Sequence, residues 1–448
     1  MRKGFIFLLG PALLCTPICA QAPISLRDAV RTALNGNKSI VGSAASNDAA
    51  TARVTQAKSG ALPKLNYSEA WTRSDNPVFV FSSLLTQHQF GEQNFQVQPL
   101  NRPDFLNNFQ SLITADQPLY DAGKTSRAVR SAVLAKDITV EDARRTQLDV
   151  IASVVRSYHD AQLDAEQLNA TRQALRSVEA DLERAESRRS AGVATDADVL
   201  SIRVHLASVR EEQYRRSADL DVARAALNDA LGLPLDTAHT LTTAMVPLAL
   251  PEAALADYER NGAGSRPEAH QMKAAKELAE TSAAEARGTL LPQVNLHAAL
   301  EADRQSFYDR VGANWLVSIG LRWNLFNGFG DRARIEESRS ALRRSTAEQG
   351  RVDSAIRLQV RRAWADLRAA EQRIESARAA EAEAEESVRI SQNRYEAGLA
   401  TVTDLLRVET ALLDTRTRYL AAVHDQRISA AMLELAAGTL TVDSEVLN

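Results

Sequence analysis

The chain has 448 residues, of which 45% are apolar, 25% are charged and only 5% are aromatic. This composition excludes a disordered chain, because it can bury ample apolar surface, and it favours long helices packed side by side. The formal net charge is −4. Because the chain lacks a basic excess, we expect no nucleic-acid partner.

The first twenty residues have the pattern of a secretory signal peptide. They combine a basic start, an apolar centre interrupted by Pro11 and Pro17, and a small residue at the end. A membrane anchor is the alternative, but the apolar stretch is short for one. Both cysteines, Cys15 and Cys19, lie in this segment. We therefore expect an exported, cysteine-free mature chain without disulfides or cysteine metal sites.

The rest of the sequence is a tandem duplication. The segments around Gly192 and Gly398 match at an offset of 206 residues, whereas the earlier pair Pro63 and Pro292 matches at 229. The difference implies 23 extra residues in the first copy, which we place in the region 74–104. The pattern predicts a signal peptide at 1–20, a first repeat at 21–235, a linker at 236–266 and a second repeat at 267–448.

Each repeat carries two long stretches without glycine or proline, the residues that interrupt helices. The stretches are 124–191 and 193–231 in the first copy, and 351–397 and 399–437 in the second. The longest would extend roughly 100 Å as a helix, so it needs neighbours along its whole length. The sequence therefore predicts pairs of long helices joined by short turns at the two repeated glycines.

The last helix repeats pairs of apolar residues every seven positions, beginning at Leu405 and Leu406. Heptad spacing indicates a coiled coil, and two adjacent apolar positions indicate contacts on two sides. An antiparallel hairpin with a single seam is the alternative. The charged residues between the apolar pairs are expected mostly to face water: Arg407, Glu409, Asp414, Arg416 and Arg418.

The aromatic-rich windows 65–120 and 293–330 predict β-strands. From Trp315 to Leu325 apolar residues occupy every second position, which is typical of a strand with one apolar face. Each copy offers two such strands. Four strands cannot close a barrel and an open edge cannot lie in lipid, so we expect several chains to contribute to one barrel. Three chains would give twelve strands, which is within the range of membrane barrels. A water-soluble hairpin packed on the helices is the alternative.

Motifs for catalysis or cofactor binding are missing from the sequence. The seven histidines are scattered without HExxH spacing, and the GFG sequence at 328–330 lacks the third glycine of a dinucleotide fingerprint. The acidic residues of 381–386 are expected to form a solvated helix face. We predict no enzyme activity, no cofactor and no metal.

With these features in place, the mature chain resembles the TolC-like outer-membrane efflux channels over essentially its whole length. The turn sequences AGVAT (191–195) and AGLAT (397–401) are similar to the family's Val-Gly-Leu-x-Thr motif, and the strand-entry phrases ALPKLN (61–66) and LLPQVN (290–295) also resemble the family. The resemblance implies an α+β membrane protein. Long α-helical hairpins would form a tunnel in the periplasm, and four strands would contribute to a trimeric twelve-strand β-barrel in the outer membrane.

The resemblance also implies a function. The chain would be the passive outer-membrane and periplasm-spanning export duct of a tripartite efflux pump. Its implied partners are two further copies in a homotrimer, a periplasmic adaptor protein, an inner-membrane pump and outer-membrane lipid. The outer-membrane duct of a type I protein secretion system is an alternative, and a periplasmic coiled-coil scaffold without a barrel is another. The sequence does not distinguish among drugs, metal ions, lipids and polypeptides as cargo.

The resemblance assigns roles to the two turns and the residues beside them. The residues implied to dock the adaptor are Gly192, Val193, Thr195, Gly398, Leu399 and Thr401. Those implied at the periplasmic entrance are Asp198, Asp404, Tyr395 and Arg407. Threefold symmetry would turn each aspartate into a ring of three carboxylates that favours cations. Alternatively, Asp404 could pair with Arg407, three residues later on the same helix.

The extra residues within 74–104 are expected in the first extracellular loop, because barrels place their longer loops outside. Their apolar content has two explanations. The loop either folds over the mouth of the barrel or packs against a neighbouring molecule.

Overall fold

The computed structural model describes residues 22–249 and 254–448, and the predicted signal peptide lies outside them. Within these ranges the α-helices are α1 Leu26–Gly36, α2 Lys38–Lys58, α3 Pro77–Thr86, α4 Val97–Asn101, α5 Lys124–Ser190, α6 Asp196–Leu231, α7 Leu255–Ser265, α8 Pro267–Gly288, α9 Gly330–Glu396 and α10 Val402–Ala437. The strands are β1 Ala22–Ile24, β2 Lys64–Ser74, β3 Leu106–Tyr120, β4 His239–Leu241, β5 Gln293–Arg304 and β6 Gly312–Arg322. By length and hydropathy, none of the helices in these ranges qualifies as a membrane span.

The chain divides into two compact units. Among the described residues, the helical unit comprises those up to 42 together with 145–266 and 356–448. The sheet unit comprises 43–144 and 267–355. The long helices α5 and α9 contribute residues to both units.

The order of elements repeats along the chain. Helices α1 and α2, strands β2 and β3, and helices α5 and α6 are followed by α7 and α8, β5 and β6, and α9 and α10. Helix α7 starts at Leu255, 229 residues after Leu26, and thus lies in the segment that the sequence assigns to the linker. In the order of elements, α7 thus takes the place that α1 has in the first half of the chain.

A pair of tight helix ends shows the same duplication inside the helical unit. Gly232 ends α6 with φ +74°, and a Cβ there would lie 2.7 Å from the main-chain oxygen of Gly36. Gly438 ends α10 with φ +69°, and a Cβ there would lie 3.1 Å from the main-chain carbon of Ser265. Both sites need glycine for positive φ, and the contact with α1 also requires the missing side chain.

The core of the helical unit is formed by apolar residues of α1, α5, α6, α9 and α10. Tyr158 of α5 is fully buried in it. Its hydroxyl donates to the main-chain oxygen of Ile24 at 3.0 Å and accepts from the main-chain nitrogens of Thr242 and Thr243 at 3.1 Å. A single buried side chain therefore satisfies main-chain groups beside the parallel pair β1–β4.

The predicted long helices are confirmed. Helix α5 matches its glycine-free stretch closely, and α9 begins at Gly330, upstream of the glycine-free stretch 351–397. It runs through Gly350, where an added Cβ would meet nothing within 4 Å. Glycine in an exposed helix interior costs only about 1 kcal/mol, which a long packed helix can absorb.

The sheet unit contains an antiparallel sheet with strand order β2-β3-β5-β6. Its register places Ala70, Gln110, Asp303 and Gly312 in one row across the sheet. The prediction of two strands in each copy is confirmed. The β2–β3 insertion, which contains α3 and α4, and the β5–β6 turn lie at one end of the strands, and the connections to the long helices lie at the other.

The two faces of the sheet differ in polarity. Residues that share a face with Val317 and Ile319 are mainly apolar and exposed, among them Leu65, Tyr67, Trp71, Ile113, Leu300, Trp315 and Leu321. The other face carries cross-strand polar pairs, including Gln110–Glu301 at 2.5 Å and His297–Asp116 at 2.7 Å. A broad exposed apolar face suits contact with lipid, and a polar face suits a water-filled interior.

Candidate functional site: the paired helical turns

The two turns between the long helices have the same backbone geometry. Gly192 and Gly398 have φ values of +75° and +73°, in the left-handed region that glycine enters without strain. The next amide in each turn, that of Val193 or Leu399, donates 2.8 Å to a carbonyl five residues earlier. These bonds form a Schellman motif, which satisfies the last carbonyls of the incoming helix.

Each outgoing helix starts with a capping box. The Thr195 hydroxyl accepts a 3.2 Å bond from the main-chain nitrogen of Asp198, and the Thr195 nitrogen donates 3.0 Å to the Asp198 carboxylate. Thr401 and Asp404 make the same two bonds, at 3.2 Å and 3.3 Å. The repeated threonine and aspartate therefore have a local structural role, because together they satisfy main-chain donors at the start of α6 and α10.

The apolar residues of the turns are exposed. Val193 is 66% exposed and Leu399 is 70% exposed. A Cβ added to either Gly192 or Gly398 would meet no atom within 4 Å. Each turn thus presents a small apolar surface without side chains crowding it, which leaves room for the backbone of another molecule.

Arg188 joins the two hairpins beside the turns. Its guanidinium donates to the main-chain oxygens of Tyr395 at 3.4 Å and Glu396 at 3.1 Å, and it lies 5.2 Å from the centre of the Tyr395 ring. The bonds satisfy carbonyls at the C-terminal end of α9, where the helix dipole favours a cation. Burial raises the pKa of Tyr395, and the charge of Arg188 opposes that rise.

Apolar packing supports this junction. Val402, at the start of α10, is buried in a cluster with Val199, Ile202 and Val178 of the other hairpin. Tyr395 and Leu406 pack against the same cluster. The two turns therefore belong to one packed end of the helical unit.

Asp404 pairs with Arg407, as the alternative reading of the sequence anticipates. Asp404 Oδ1 lies 3.5 Å from Arg407 Nη2, and both side chains are largely accessible to solvent. The hydrogen bonds from the side chain and backbone of Thr401, followed by the charge of Arg407, hold the pKa of Asp404 below its usual range. The corresponding position after Asp198 is Ser201, so the first copy has no equivalent arginine.

The sequence interpretation missed an acidic pair behind the turns, of which Asp181 is buried and Glu409 partly buried. Glu409, expected to face water, lies instead beside Asp181, which is buried on α5 and bonded to Arg184. Burial, together with the hydrogen bond and charge of Asp181, raises the pKa of Glu409. The heptad pattern identifies the helix but gives only approximate information on which positions a second hairpin covers.

Sequence reasoning also overlooked Arg188, although the duplication contains a signal for it. Arg394 lies 206 residues later, and its guanidinium reaches the Leu399 carbonyl at 3.5 Å. The repeated arginine could have been selected by the same offset that selects the repeated glycines. Within residues 22–249 and 254–448, no group of three or more His, Cys, Asp or Glu side chains could hold a metal ion.

Comparison with known proteins identifies a matching family model and several relatives of this chain. The family model described as "Outer membrane efflux protein" matches residues 29–233 and 263–439. Protein CyaE from Bordetella pertussis is 29% identical over 76% of this chain and 74% of its own length. The alkaline protease secretion protein AprF from Pseudomonas aeruginosa is 25% identical over 98% of this chain and 89% of its own length.

A solved structure confirms the fold. The Campylobacter jejuni CmeC outer membrane channel superimposes with a TM-score of 0.79 and covers 99% of this chain and 96% of its own chain. Sequence identity is only 14%, so the similarity lies in the arrangement of helices and strands. It confirms the predicted channel fold, in which helical hairpins are combined with a sheet.

Proposed function

Because the chain belongs to the outer membrane efflux protein family, we propose that it is the passive, periplasm-spanning export duct of a tripartite efflux pump. Members of this family are channels, not enzymes, and they act as trimeric outer-membrane ducts with adaptor proteins. The protein lies in the outer membrane, with its helical tunnel in the periplasm. The trimer, the adaptor and the inner-membrane pump are proposed here for this chain.

The observation that carries the proposal is the open, two-faced sheet. In the described part of the chain, β2 and β6 each have a strand neighbour on one side only. If the apolar face lies in lipid, the unpaired main-chain groups along these two edges lack partners there, which is energetically costly. Pairing β6 of one copy with β2 of the next would remove every edge, and three copies would close a twelve-strand barrel.

We assign adaptor docking to the two turns: Gly192, Val193, Thr195, Gly398, Leu399 and Thr401. The support is local. Glycine brings the backbone to the surface, the threonines fix the following helices, and Val193 and Leu399 remain exposed. Exposed apolar side chains on a rigid turn suit contact with a helical hairpin of another protein.

We place the entrance to the duct beside these turns, with Asp198, Asp404, Tyr395 and Arg407 around it. In a trimer, Asp198 and Asp404 would each contribute three carboxylates near the passage. The ion pair with Arg407 offsets the charge of Asp404, whereas Ser201 leaves Asp198 without that neighbour. Asp198 is therefore the main source of any preference for cations.

The outer-membrane duct of a type I secretion system is the second candidate. A specific observation favours it, because the similarity to AprF, whose printed name refers to protease secretion, extends over 98% of this chain. Both functions use the same passive channel. They differ in the inner-membrane partner and therefore in the cargo.

A complementation experiment tests both candidates. The chain is expressed in cells without their own duct, together with an adaptor and either a proton-driven drug pump or an ATP-driven protein exporter. We expect heat-modifiable trimers in the outer-membrane fraction and restored dye efflux with the drug pump. Restored secretion with the exporter alone would select the second candidate. Trimers without export in either pairing would contradict both.

A further inference from the structure

The insertion between β2 and β3 folds into an ordered element rather than an open loop. Asn76 caps helix α3 by accepting bonds from the main-chain nitrogens of Val78 at 2.9 Å and Phe79 at 3.3 Å, and Pro77 occupies the first turn. Proline in the first turn and asparagine at the cap are the preferred start of a helix. The helix lies at the end of the strands that carries the turns, away from the connections to the long helices.

The end of α3 rests on the polar face of the sheet. The Gln87 side chain donates 2.8 Å to Asn108, whose amide donates 2.6 Å to Asp303. The Asn314 amide donates 3.1 Å to the main-chain oxygen of Thr86. By register, Asp303 and Asn314 belong to the face opposite Val317 and Ile319. The insertion is therefore anchored on the face that would line the interior of a barrel.

This anchoring is tight and buried. Gln87, Asn108 and Asp303 are 2%, 7% and 0% exposed. A Cβ at Gly312 would lie 2.1 Å from the oxygen of Thr86, so the helix end approaches β6 as closely as glycine allows. Buried polar side chains bonded to one another fix a single orientation of the element they hold.

The outer side of α3 is apolar. Val78, Phe81 and Leu85, called here the α3 stripe, follow helical spacing and are 78%, 36% and 48% exposed. On the opposite side, Val80 and Ser83 are buried. In a single chain, the stripe would leave an apolar surface next to a polar, water-filled interior, which is unfavourable unless something covers it.

We propose that the α3 stripes of three copies meet one another around the threefold axis and form an apolar constriction at the extracellular mouth of the duct. The inference rests on the proposed trimer. Its support is that α3 lies on the interior face and contacts β6, the edge strand that would pair with the next copy. Threefold symmetry places three identical stripes around one opening, so each stripe would be covered by the stripes of the other two copies of this chain.

The constriction would exclude hydrated solutes. Apolar rings at a narrow point oppose the passage of water and ions, and opening them requires the three helices to separate. The mouth of this duct would then have a closure distinct from the helical turns at its periplasmic end.

Cysteine cross-linking tests the contact directly, because residues 22–448 contain no cysteine. Leu85→Cys places a thiol on the stripe, and Tyr308→Cys places one on the β5–β6 turn, where the side chain is 95% exposed. Disulfides require Cα atoms within about 7 Å. After mild oxidation of purified trimers, we expect covalent dimers from Leu85→Cys and none from Tyr308→Cys.

A second measurement applies if the three stripes meet but their cysteines lack the geometry for a disulfide. Val78→Cys, whose side chain is 78% exposed in the single chain, should react with a bulky maleimide, added outside intact cells, at least about tenfold more slowly than Tyr308→Cys, since the other two helices shield it. Heat-modifiable trimers that give neither cross-linking nor shielding would overturn the constriction while leaving the duct intact. Loss of trimers in the parent chain would instead reject the proposed function.

Discussion

Arg188 of the first hairpin donates a hydrogen bond of 3.1 Å to the main-chain oxygen of Glu396 in the second. The bond connects a side chain near the end of α5 to the end of α9, and Val402 packs beneath it. Two hairpins held at this end by a charged bond and an apolar cluster could separate there without either one unfolding. We therefore propose this junction as the point at which the proposed entrance widens.

Replacing Arg188 by alanine should favour separation of the hairpins. Removing this half-exposed hydrogen bond from a charged group is expected to shift the equilibrium between joined and separated hairpins by about 1 kcal/mol, or roughly fivefold. Single-channel recording should show a higher mean conductance for Arg188→Ala. Arg189→Ala is the matched control, because Arg189 pairs with Asp196 of its own hairpin at 3.3 Å. Equal conductance of both variants and the parent would contradict the role of Arg188.

The sequence predicted the repeated elements well because the duplication gives each of them two independent indications. The turn glycines and the long helices were found in this way, whereas the strand alternation was identified within the second copy. Contacts between hairpins were not, since Asp181 and Glu409 are 228 positions apart and lie on different helices. Heptad positions specify a helix face, but the partner that covers it depends on tertiary packing. The position of α3 also depended on distant polar contacts that leave no periodic pattern.

The sheet register predicts that adjacent positions of β6 tolerate substitution by arginine to different degrees. Val317 and Ile319 lie on the apolar face, and Ser318, paired with His297, lies on the polar one. Arginine at Val317 or Ile319 should reduce assembled trimer, because a charge facing lipid near mid-membrane costs roughly 2–4 kcal/mol. Arginine at Ser318 should assemble close to the parent level. Trimer yield in outer-membrane fractions measures this, and equal yields would refute the face assignment.

The turn glycines predict a separation of assembly from export. Changing Gly398 to leucine adds side-chain bulk at the surface and strains a backbone with φ +73°, at a cost of roughly 1–2 kcal/mol. That cost falls on one turn, so trimer levels should stay near normal while efflux is lost through blocked docking. Gly350→Ala is the control, since it adds only a methyl group to an exposed helix interior. Normal efflux from Gly398→Leu trimers would exclude docking at this turn.

Because the ring of His159 is buried, we expect the protein to lose stability at low pH. The ring is fully buried, its Nδ1 lies 3.1 Å from the Gln162 amide oxygen, and burial lowers its pKa to about 4. The charges of Arg427 and His424 act in the same direction, while the Gln162 bond and Asp160 oppose it. The pKa of His159 is lower in the folded than in the unfolded state, so the neutral ring contributes fully to the free energy of unfolding above about pH 6.5. As the pH falls towards 4, the free energy of unfolding decreases by about 3 kcal/mol.

Thermal dissociation of trimers between pH 7.5 and 4.5 checks this. His159→Gln removes the titrating ring and should flatten the decline. His424→Gln is the control of opposite sign, because hydrogen bonds to Asp160 and Asp425 outweigh burial and raise the pKa of His424. That histidine stabilises below its unfolded pKa and loses the contribution as the pH rises. A steep acid decline that persists in His159→Gln would assign the effect to other groups.

The last prediction concerns charge at the entrance, where the two copies differ. Asp198 and Asp404 occupy equivalent capping boxes, but Arg407 stands 3.5 Å from Asp404 and Ser201 takes the equivalent place after Asp198. Asparagine keeps a carbonyl oxygen for the cap while removing the charge, so it separates electrostatics from helix stability. Reversal potentials in asymmetric salt should show a larger loss of cation preference for Asp198→Asn than for Asp404→Asn. Arg407→Ala should raise cation preference, because it exposes the carboxylate that the guanidinium now offsets. If both asparagine variants leave the reversal potential unchanged, these aspartates serve as helix caps alone, and the carboxylate rings do not line the passage.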